Sequence, residues 1–302
     1  MLSIVVLGAA AGGGVPQWNC GCDNCRSARN GHPELQSTQA SIAVSADREH
    51  WFLVNASPDL RQQLTETPAL HPRPGHLRQS PIAGVILTNG EVDAIAGLLS
   101  LREGTAFGLY AHPRVLGILD DNPIFNVLRS DLVPRRPMRL GAPFALPRLD
   151  GSPSGLTVEA FPVPGKIALF LEDETDTGEG DTIGLEIRDD TDGQRLVFLA
   201  ACAEVTPAIA DRLRGADLVF FDGTLWRDDE MIAAGLGKKT GQRMGHMAMA
   251  DTIPALEGLD IGRRVFLHIN NSNPALREDS PERRAAQAAG WIVPADGMEI
   301  DL

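Results

Sequence analysis

Short apolar runs rich in β-branched residues recur along the chain, several of them closed by glycine, proline, asparagine or aspartate. They cover residues 4–7, 41–44, 51–54, 85–87, 156–161, 168–171, 183–187, 196–199, 218–221 and 265–268. Runs of this length between turn signals predict buried strands. Helical patterns fall between them. Ser57-Pro58, Thr206-Pro207 and Ser280-Pro281 each predict a helix start. The hydroxyl can accept an orphan N–H, and proline at the first helical position has no N–H to lose. Helical spacing also covers residues 92–101 and 251–259, while the acidic, glycine-bearing stretches 172–181 and 189–194 predict exposed loops.

The order is mostly strands, with helices interspersed and no regular β-α-β-α alternation. That favours a mixed-sheet, layered α/β fold over a doubly wound sheet or a barrel of alternating units. No linker-like or charge-block segment divides the 302 residues, and no repeat is visible, so one domain over 1–302 is expected.

Charge narrows the functional classes. The formal net charge is -13, which opposes nucleic-acid binding and attachment to an anionic membrane. No stretch approaches the roughly twenty apolar residues of a bilayer span. The start lacks a basic n-region and reads as a buried strand, so a cytoplasmic protein with reduced thiols is expected. An acidic substrate would need a local basic patch. The loop at residues 235–243 offers Lys238, Lys239 and Arg243, with Arg243 able to grip a carboxylate through two N–H groups. A solvated loop is an equally good account of the same charges.

Candidate chemistry begins with the cysteines. There are four, and Cys20, Cys22 and Cys25 lie together in Trp18-Asn19-Cys20-Gly21-Cys22-Asp23-Asn24-Cys25. A loop this tight presents three thiolates to one point, and in a reducing compartment that predicts a metal, best zinc. The fourth ligand is open between His32, His268, Asn271 and a water or substrate atom. A closed site would be structural; an open one would allow ligand exchange.

The glycine-rich start at residues 8–14 invites a dinucleotide reading, which fails. Residue 10 is alanine, and Pro16 and the cysteine loop stand where a phosphate-binding helix should begin. A turn allowing close backbone approach is expected there.

Thr88-Asn89-Gly90-Glu91-Val92-Asp93-Ala94-Ile95-Ala96-Gly97 resembles the T-H-x-H-x-D-H-x-x-G signature of the metallo-β-lactamase superfamily. Asn89, Glu91 and Ala94 stand where that signature has histidines; Asp93 and Gly97 match. Cys202 falls about where a bridging aspartate is usual. His246 and His268 match histidine positions of the tRNase Z-like branch, and Asp222 ends another apolar run. Taken singly, His246 reads as a capped surface histidine and His268 as a core histidine. Together, at strand ends, they favour a site. The missing histidines speak against a two-zinc hydrolase. Asp93 with His268, helped by Asp222 or His246, matches the imidazole and carboxylate donors of non-haem iron.

Longer motifs make the resemblance specific. Val15-Pro16-Gln17-Trp18-Asn19-Cys20-Gly21-Cys22, Asn55-Ala56-Ser57-Pro58-Asp59-Leu60-Arg61, Val163-Pro164-Gly165-Lys166, Phe221-Asp222-Gly223-Thr224-Leu225-Trp226 and His268-Ile269-Asn270-Asn271-Ser272-Asn273-Pro274 are similar to the pyrroloquinoline quinone biosynthesis protein B family, essentially from end to end. The resemblance implies a metallo-β-lactamase αββα sandwich, with two mixed sheets flanked by helices. It implies a role in making the redox cofactor pyrroloquinoline quinone (PQQ) from a peptide precursor. One version is iron- and oxygen-dependent hydroxylation of the tyrosine-derived ring; the other is carriage of PQQ or its precursor towards the periplasm. The implied partners are that precursor or PQQ, and a homodimer stays open. The family usually has Asp-His where this chain has Asp93-Ala94, so the resemblance leaves the reactive metal one ligand short. Phosphodiesterase relatives close the cysteine-held zinc with a histidine at the place of Asn271.

Overall fold

The computed structural model describes residues 1–302. Its first strands are β1 (Ser3–Gly8), β2 (Ser41–Ser45), β3 (Trp51–Val54), β4 (Ile82–Ile86), β5 (Gly108–Ala111) and β6 (Arg135–Pro137). The remainder are β7 (Phe144–Pro147), β8 (Pro153–Pro162), β9 (Ile183–Asp189), β10 (Arg195–Leu199), β11 (Leu218–Asp222), β12 (Arg263–Leu267), β13 (Trp291–Ile292) and β14 (Glu299–Asp301). They form two seven-stranded sheets, ordered β14-β1-β2-β3-β4-β5-β6 and β13-β12-β11-β10-β9-β8-β7. In the first, β1 to β3 pair antiparallel and β3 to β6 parallel. In the second, β7 to β10 pair antiparallel and β10 to β13 parallel. The two halves therefore repeat one pairing pattern that the sequence does not reveal as a repeat.

The apolar runs make sense in this sandwich. Ile4 and Val6 face the core between the sheets, with Phe52, Ile86, Leu185, Phe198 and Phe220. Val5 and Leu7 face outward, yet they too are buried, under Leu60, Ile95, Leu98 and Leu119. The second sheet repeats this, with Val219 and Phe221 under Ile209, Leu213, Met249 and Leu256. A strand covered on both faces has no polar alternation, hence the continuous runs. No helix is long and apolar enough to cross a membrane.

Several expectations need correction. Residues 168–171 are not a strand: Leu169–Leu171 is a single 3-10 turn, with Leu169 60% and Phe170 43% exposed. These apolar side chains lie at the mouth of a cavity and have no neighbouring strand. The helix expected after Ser57-Pro58 starts later, as Leu60–Glu66. Ser57 is buried and donates instead to Gln63 Oε1 at 3.1 Å. Thr206 and Ser280 do cap their helices, accepting from Ile209 N and Arg283 N. The helix at residues 92–101 is one α-turn, Val92–Ile95, that tightens into the 3-10 segment Ala96–Leu101. A Cβ on Gly97 would lie 2.0 Å from Ser57 O, so only glycine allows this close packing. The helix sought at residues 251–259 runs Met249–Ala255.

The chain ends by crossing between the sheets. After β13 it returns to pair β14 with β1, placing Ile300 opposite Ile4. On the way, the carboxylate of Asp296 accepts from Ala9 N, Ser37 Oγ, Thr38 N and Thr38 Oγ1 at 2.6–3.2 Å.

Candidate metal centre and reactive cavity

The C-terminal ends of parallel strands from both sheets open on one cavity of about 590 Å³, the usual place for a site in such sheets. The first sheet supplies the turn after β4. Thr88 N donates to Asn55 Oδ1 at 2.9 Å and Asn55 Nδ2 to Thr88 Oγ1 at 3.0 Å, which fixes where the chain leaves the strand. Asn89, Glu91 and Asp93 then line the cavity. A Cβ on Gly12 would lie 3.3 Å from Asp93 Oδ2, so the glycine-rich turn is the floor under this carboxylate.

The second sheet supplies Asp222, His246 and His268. Asp222 ends β11 and is fully buried. His268 follows β12 with φ +60, a left-handed conformation that costs a non-glycine residue energy and here turns the ring toward the cavity. His268 Nε2 lies 2.9 Å from Asp93 Oδ2, and His246 Nδ1 lies 2.8 Å from Asp222 Oδ2. The two imidazoles stack with centroids 5.1 Å apart and planes 20° apart. Thr224 Oγ1 stands between them, 2.9 Å from His268 Nδ1 and 3.0 Å from His246 Nδ1. Ligand atoms of Asp222, His246 and His268 all fall within 4.8 Å of one another.

Asp93, His246 and His268 thus line the same cavity. Asp222 stands behind the imidazoles: its oxygens are taken by Cys202 N, His246 Nδ1, Thr224 N and Thr224 Oγ1 at 2.7–3.0 Å. Cys202 packs into the outer apolar layer, and burial, reinforced by Asp222, pushes its thiol up to about 12. Ala94 is also buried in an outer layer. Burial pushes the Asp93 carboxyl up, but the hydrogen bond from His268 and the imidazole charges outweigh it and hold the group below its ordinary value. For His268, burial acts downward, and the bond to Asp93 with the charges of Asp93, Asp222 and Glu91 raises it. A ring nitrogen and a carboxylate oxygen attract at this distance only through a shared proton or a cation, so the donor set fits a metal ion.

The positive charge is placed differently from expectation. Lys238 and Arg243 are exposed outside the cavity lining. Lys239 Nζ pairs with Glu172 Oε2 at 2.7 Å. The lysine in the cavity wall is Lys166, which pairs with Glu172 Oε1 at 2.6 Å and approaches Glu91 Oε1 at 3.5 Å. Glu91 also accepts from Leu169 N at 3.1 Å, docking the 3-10 turn at the mouth. Burial raises the Glu91 carboxyl, against the pull of Leu169 N and Lys166. The sequence reading missed Lys166 and Thr224 as site residues. Their only signals were positions inside the Val-Pro-Gly-Lys and Asp-Gly-Thr motifs.

The cysteine cluster lies nearby. Cys20, Cys22 and Cys25 bring their sulfurs within 4.8 Å of one another and can hold a metal. Cys22 precedes, and Cys25 sits on, the helix Asp23–Arg29. Asn271 Nδ2 donates to Cys25 Sγ at 3.1 Å, and Asn271 O accepts from Cys22 Sγ at 3.5 Å and Asn24 Nδ2 at 3.0 Å. His32 is exposed and engaged with Glu34 at 2.8 Å, so Asn271 is the candidate that meets the thiols. Burial, with the two neighbouring thiols, pushes Cys22 up to about 12. A bound cation would reverse that by stabilising the thiolates.

A family model described as a beta-lactamase superfamily domain matches residues 50–269. Coenzyme PQQ synthesis protein B of Bradyrhizobium diazoefficiens is 61% identical, over 100% of both chains. The protein of that name from Gluconacetobacter diazotrophicus is 58% identical over 99% of each. The chain belongs to the PqqB family. The crystal structure of Zn(2+)-bound PqqB from Methylobacterium extorquens is 49% identical, with a TM-score of 0.93 over 99% of this chain and 100% of that one. The metallo-β-lactamase fold is thereby shown for this PqqB-family chain. A diphosphatase of the PhnP family, 21% identical at TM-score 0.68 over 99% of this chain and 96% of its own, shares the fold alone.

Proposed function

We propose that this protein acts in PQQ biosynthesis as an iron- and oxygen-dependent hydroxylase of the tyrosine-derived ring of a peptide-derived precursor. The observation that carries the reading is the meeting of Asp93, His246 and His268 at one cavity, built from both sheets. The names of its relatives support the pathway. Two imidazoles and one carboxylate are the donor set of non-haem iron centres. Iron bound there would supply oxygen activation. The overall change inserts one atom of O2 into a ring C–H bond and reduces the other to water, with two electrons and two protons from an external reductant.

The chain's own residues do the rest. Asp93 and His268 hold the metal position, with His246 beside them. Lys166 faces the precursor's carboxylates. Leu169 and Phe170 offer apolar surface at the mouth for an aromatic ring and help keep water out. Cys20, Cys22 and Cys25 hold a zinc that fastens the N-terminal loop to residues 271–273.

A second reading is favoured by Ala94, which stands where the family usually has histidine. The protein would then bind and carry PQQ or its precursor without turnover. Protein purified anaerobically with iron supplied separates the two. One zinc with stoichiometric iron and oxygen-dependent turnover supports the hydroxylase; one zinc, no iron and tight PQQ binding supports the carrier.

A further inference from the structure

We infer that Lys166 and Lys239 form a two-lysine clamp for a carboxylate of the cavity's ligand, and that Glu172 fills the clamp until the ligand's carboxylate exchanges with it. The inference rests on the proposed reading in taking that ligand to be a polycarboxylate such as PQQ; the clamp itself rests on the geometry of the ion pairs.

The clamp is built from three separate segments. Lys166 Nζ lies 2.6 Å from Glu172 Oε1, and Lys239 Nζ lies 2.7 Å from Glu172 Oε2. One carboxylate thus sits between two ammonium groups, an oxygen to each, in charge-assisted hydrogen bonds. The two lysines stand on anchored backbone. Thr182 Oγ1 donates to Lys166 O at 3.1 Å, and the Lys166 stem passes Gly245, where a Cβ would lie 3.4 Å from its Cγ. The loop of Lys239 is tied down just beyond it, by Gly241 N on Asp228 O at 2.9 Å and Gln242 N on Asp228 Oδ1 at 2.7 Å. Glu172 is held otherwise. It closes the 3-10 turn at the cavity mouth, and its side chain is 26% exposed. Its carboxylate accepts from the two lysines alone. The acid is therefore the member free to turn away.

Charge decides between exchange and simple addition. Lys166 is the only lysine or arginine lining the cavity, and Glu91 and Asp93 line it as well. At the clamp two ammonium groups face two carboxylates, because Glu91 Oε1 lies 3.5 Å from Lys166 Nζ. An anion added to that set meets no net attraction, in a chain of formal net charge -13. With Glu172 turned out to solvent, two positive charges face one negative charge, and each ammonium has a donor for the newcomer. Glu91 then keeps Lys166 pointing inward. The ion pairs given up are partly exposed, where such pairs are worth little. The pairs gained are covered by the ligand itself, and charges attract more strongly where water is excluded.

Exchange also makes the site selective. A neutral ring has nothing to put in the place of Glu172, so the clamp stays filled. The filled form lowers the apparent affinity of any carboxylate by the fraction of molecules it occupies. Variants on the two sides of the clamp should therefore act in opposite directions. Glu172→Gln removes the competing charge and should tighten binding. If Glu172 only braced the lysines, the same change would loosen them and weaken binding. Lys239→Met should weaken binding, and should do so even when Glu172 has also been changed.

The test is isothermal titration of the full chain, at one fixed salt concentration, with PQQ and with benzene-1,3,5-tricarboxylate. Glu172→Gln should bind PQQ about fivefold more tightly. Lys239→Met should bind it about tenfold more weakly, both alone and combined with Glu172→Gln. A Glu172→Gln variant that binds PQQ equally or more weakly, or a Lys239→Met variant that binds it unchanged, would overturn the clamp and leave the PQQ reading standing. If the benzene tricarboxylate follows the expected pattern while PQQ does not bind, the clamp stands and the PQQ reading falls. If neither compound binds wild type or Glu172→Gln, the clamp is overturned.

Discussion

Asp93 and His268 are separated by 175 positions in the chain, yet Asp93 Oδ2 and His268 Nε2 stand 2.9 Å apart. The contact joins the turn after β4 to the end of β12, so it ties one sheet to the other across the cavity. Its strength follows pH. His268 is raised in the fold, so its contribution is full below its unfolded value near ~6.5 and is lost as pH rises through the folded value. Asp93 is lowered, so its contribution is present above ~3.9 and is lost as pH falls through the folded value.

In metal-free protein, Asp93→Asn should therefore cost about 3 kcal/mol, with the largest loss between roughly pH 4 and 6.5. The gap in Tm between parent and variant should close as pH rises beyond the raised His268 value. A gap that stays constant from slightly acid to clearly alkaline pH would contradict the pairing.

Lysine variants separate the cavity wall from the outer loop. Lys166→Met should weaken PQQ binding about tenfold, the scale of one charge-assisted hydrogen bond. Lys238→Glu should leave it nearly unchanged, because Lys238 lies outside the lining. Isothermal titration at two salt concentrations checks both, and the reverse ranking would return the substrate contact to the outer loop.

Cys25 is fully buried and its sulfur accepts from Asn271. Cys25→Ser should release one zinc per chain and lower Tm by about 5–10 °C, the scale of a few kcal/mol in a chain of this size. Elemental analysis alongside calorimetry decides it. Unchanged zinc and an unchanged Tm would remove the structural role.

Ala94→His restores the residue usual in the family beside Asp93. It should raise iron retention on dialysis roughly tenfold, while costing about 1–3 kcal/mol for a larger group in a packed layer. Iron per chain and Tm are the readouts. Equal iron in both proteins would mean that residue 94 is not a ligand position in this chain.

What the sequence disclosed and what it withheld have physical reasons. β1 to β3, β10 and β11 were legible because burial on both faces writes an unbroken apolar run, whereas β8 shows as an alternation, with Leu156, Val158 and Ala160 buried and Thr157 and Glu159 half-buried. β6 and β7 are short, partly exposed edge segments and leave no such trace. Residues 169–171 are as apolar as a strand but serve a cavity mouth, which periodicity cannot distinguish. The cysteine cluster was visible because its ligands are local. Asp93, His246 and His268 were proposed through resemblance, and only the fold brings them together. Lys238 and Lys239 attracted attention by charge density, yet Lys166, isolated in the chain, is the one that faces inward. Thr224 stood out only as a member of the Asp-Gly-Thr motif, because which groups surround a hydroxyl is a property of the fold.

The return of the last strand to the first sheet has a mechanical consequence. Two stacked leaves joined along one margin could part like the covers of a book, but here β14 acts as a clasp. The chain passes through one leaf after the other and then fastens its end beside its own beginning, with Asp296 as the pin. Separating the leaves would require breaking that ladder and stripping four donors from a carboxylate. The rim of the cavity is fastened far more lightly: the turn at Leu169–Leu171 is held by Leu169 N on Glu91 and flanked by the ion pairs of Glu172 with Lys166 and Lys239.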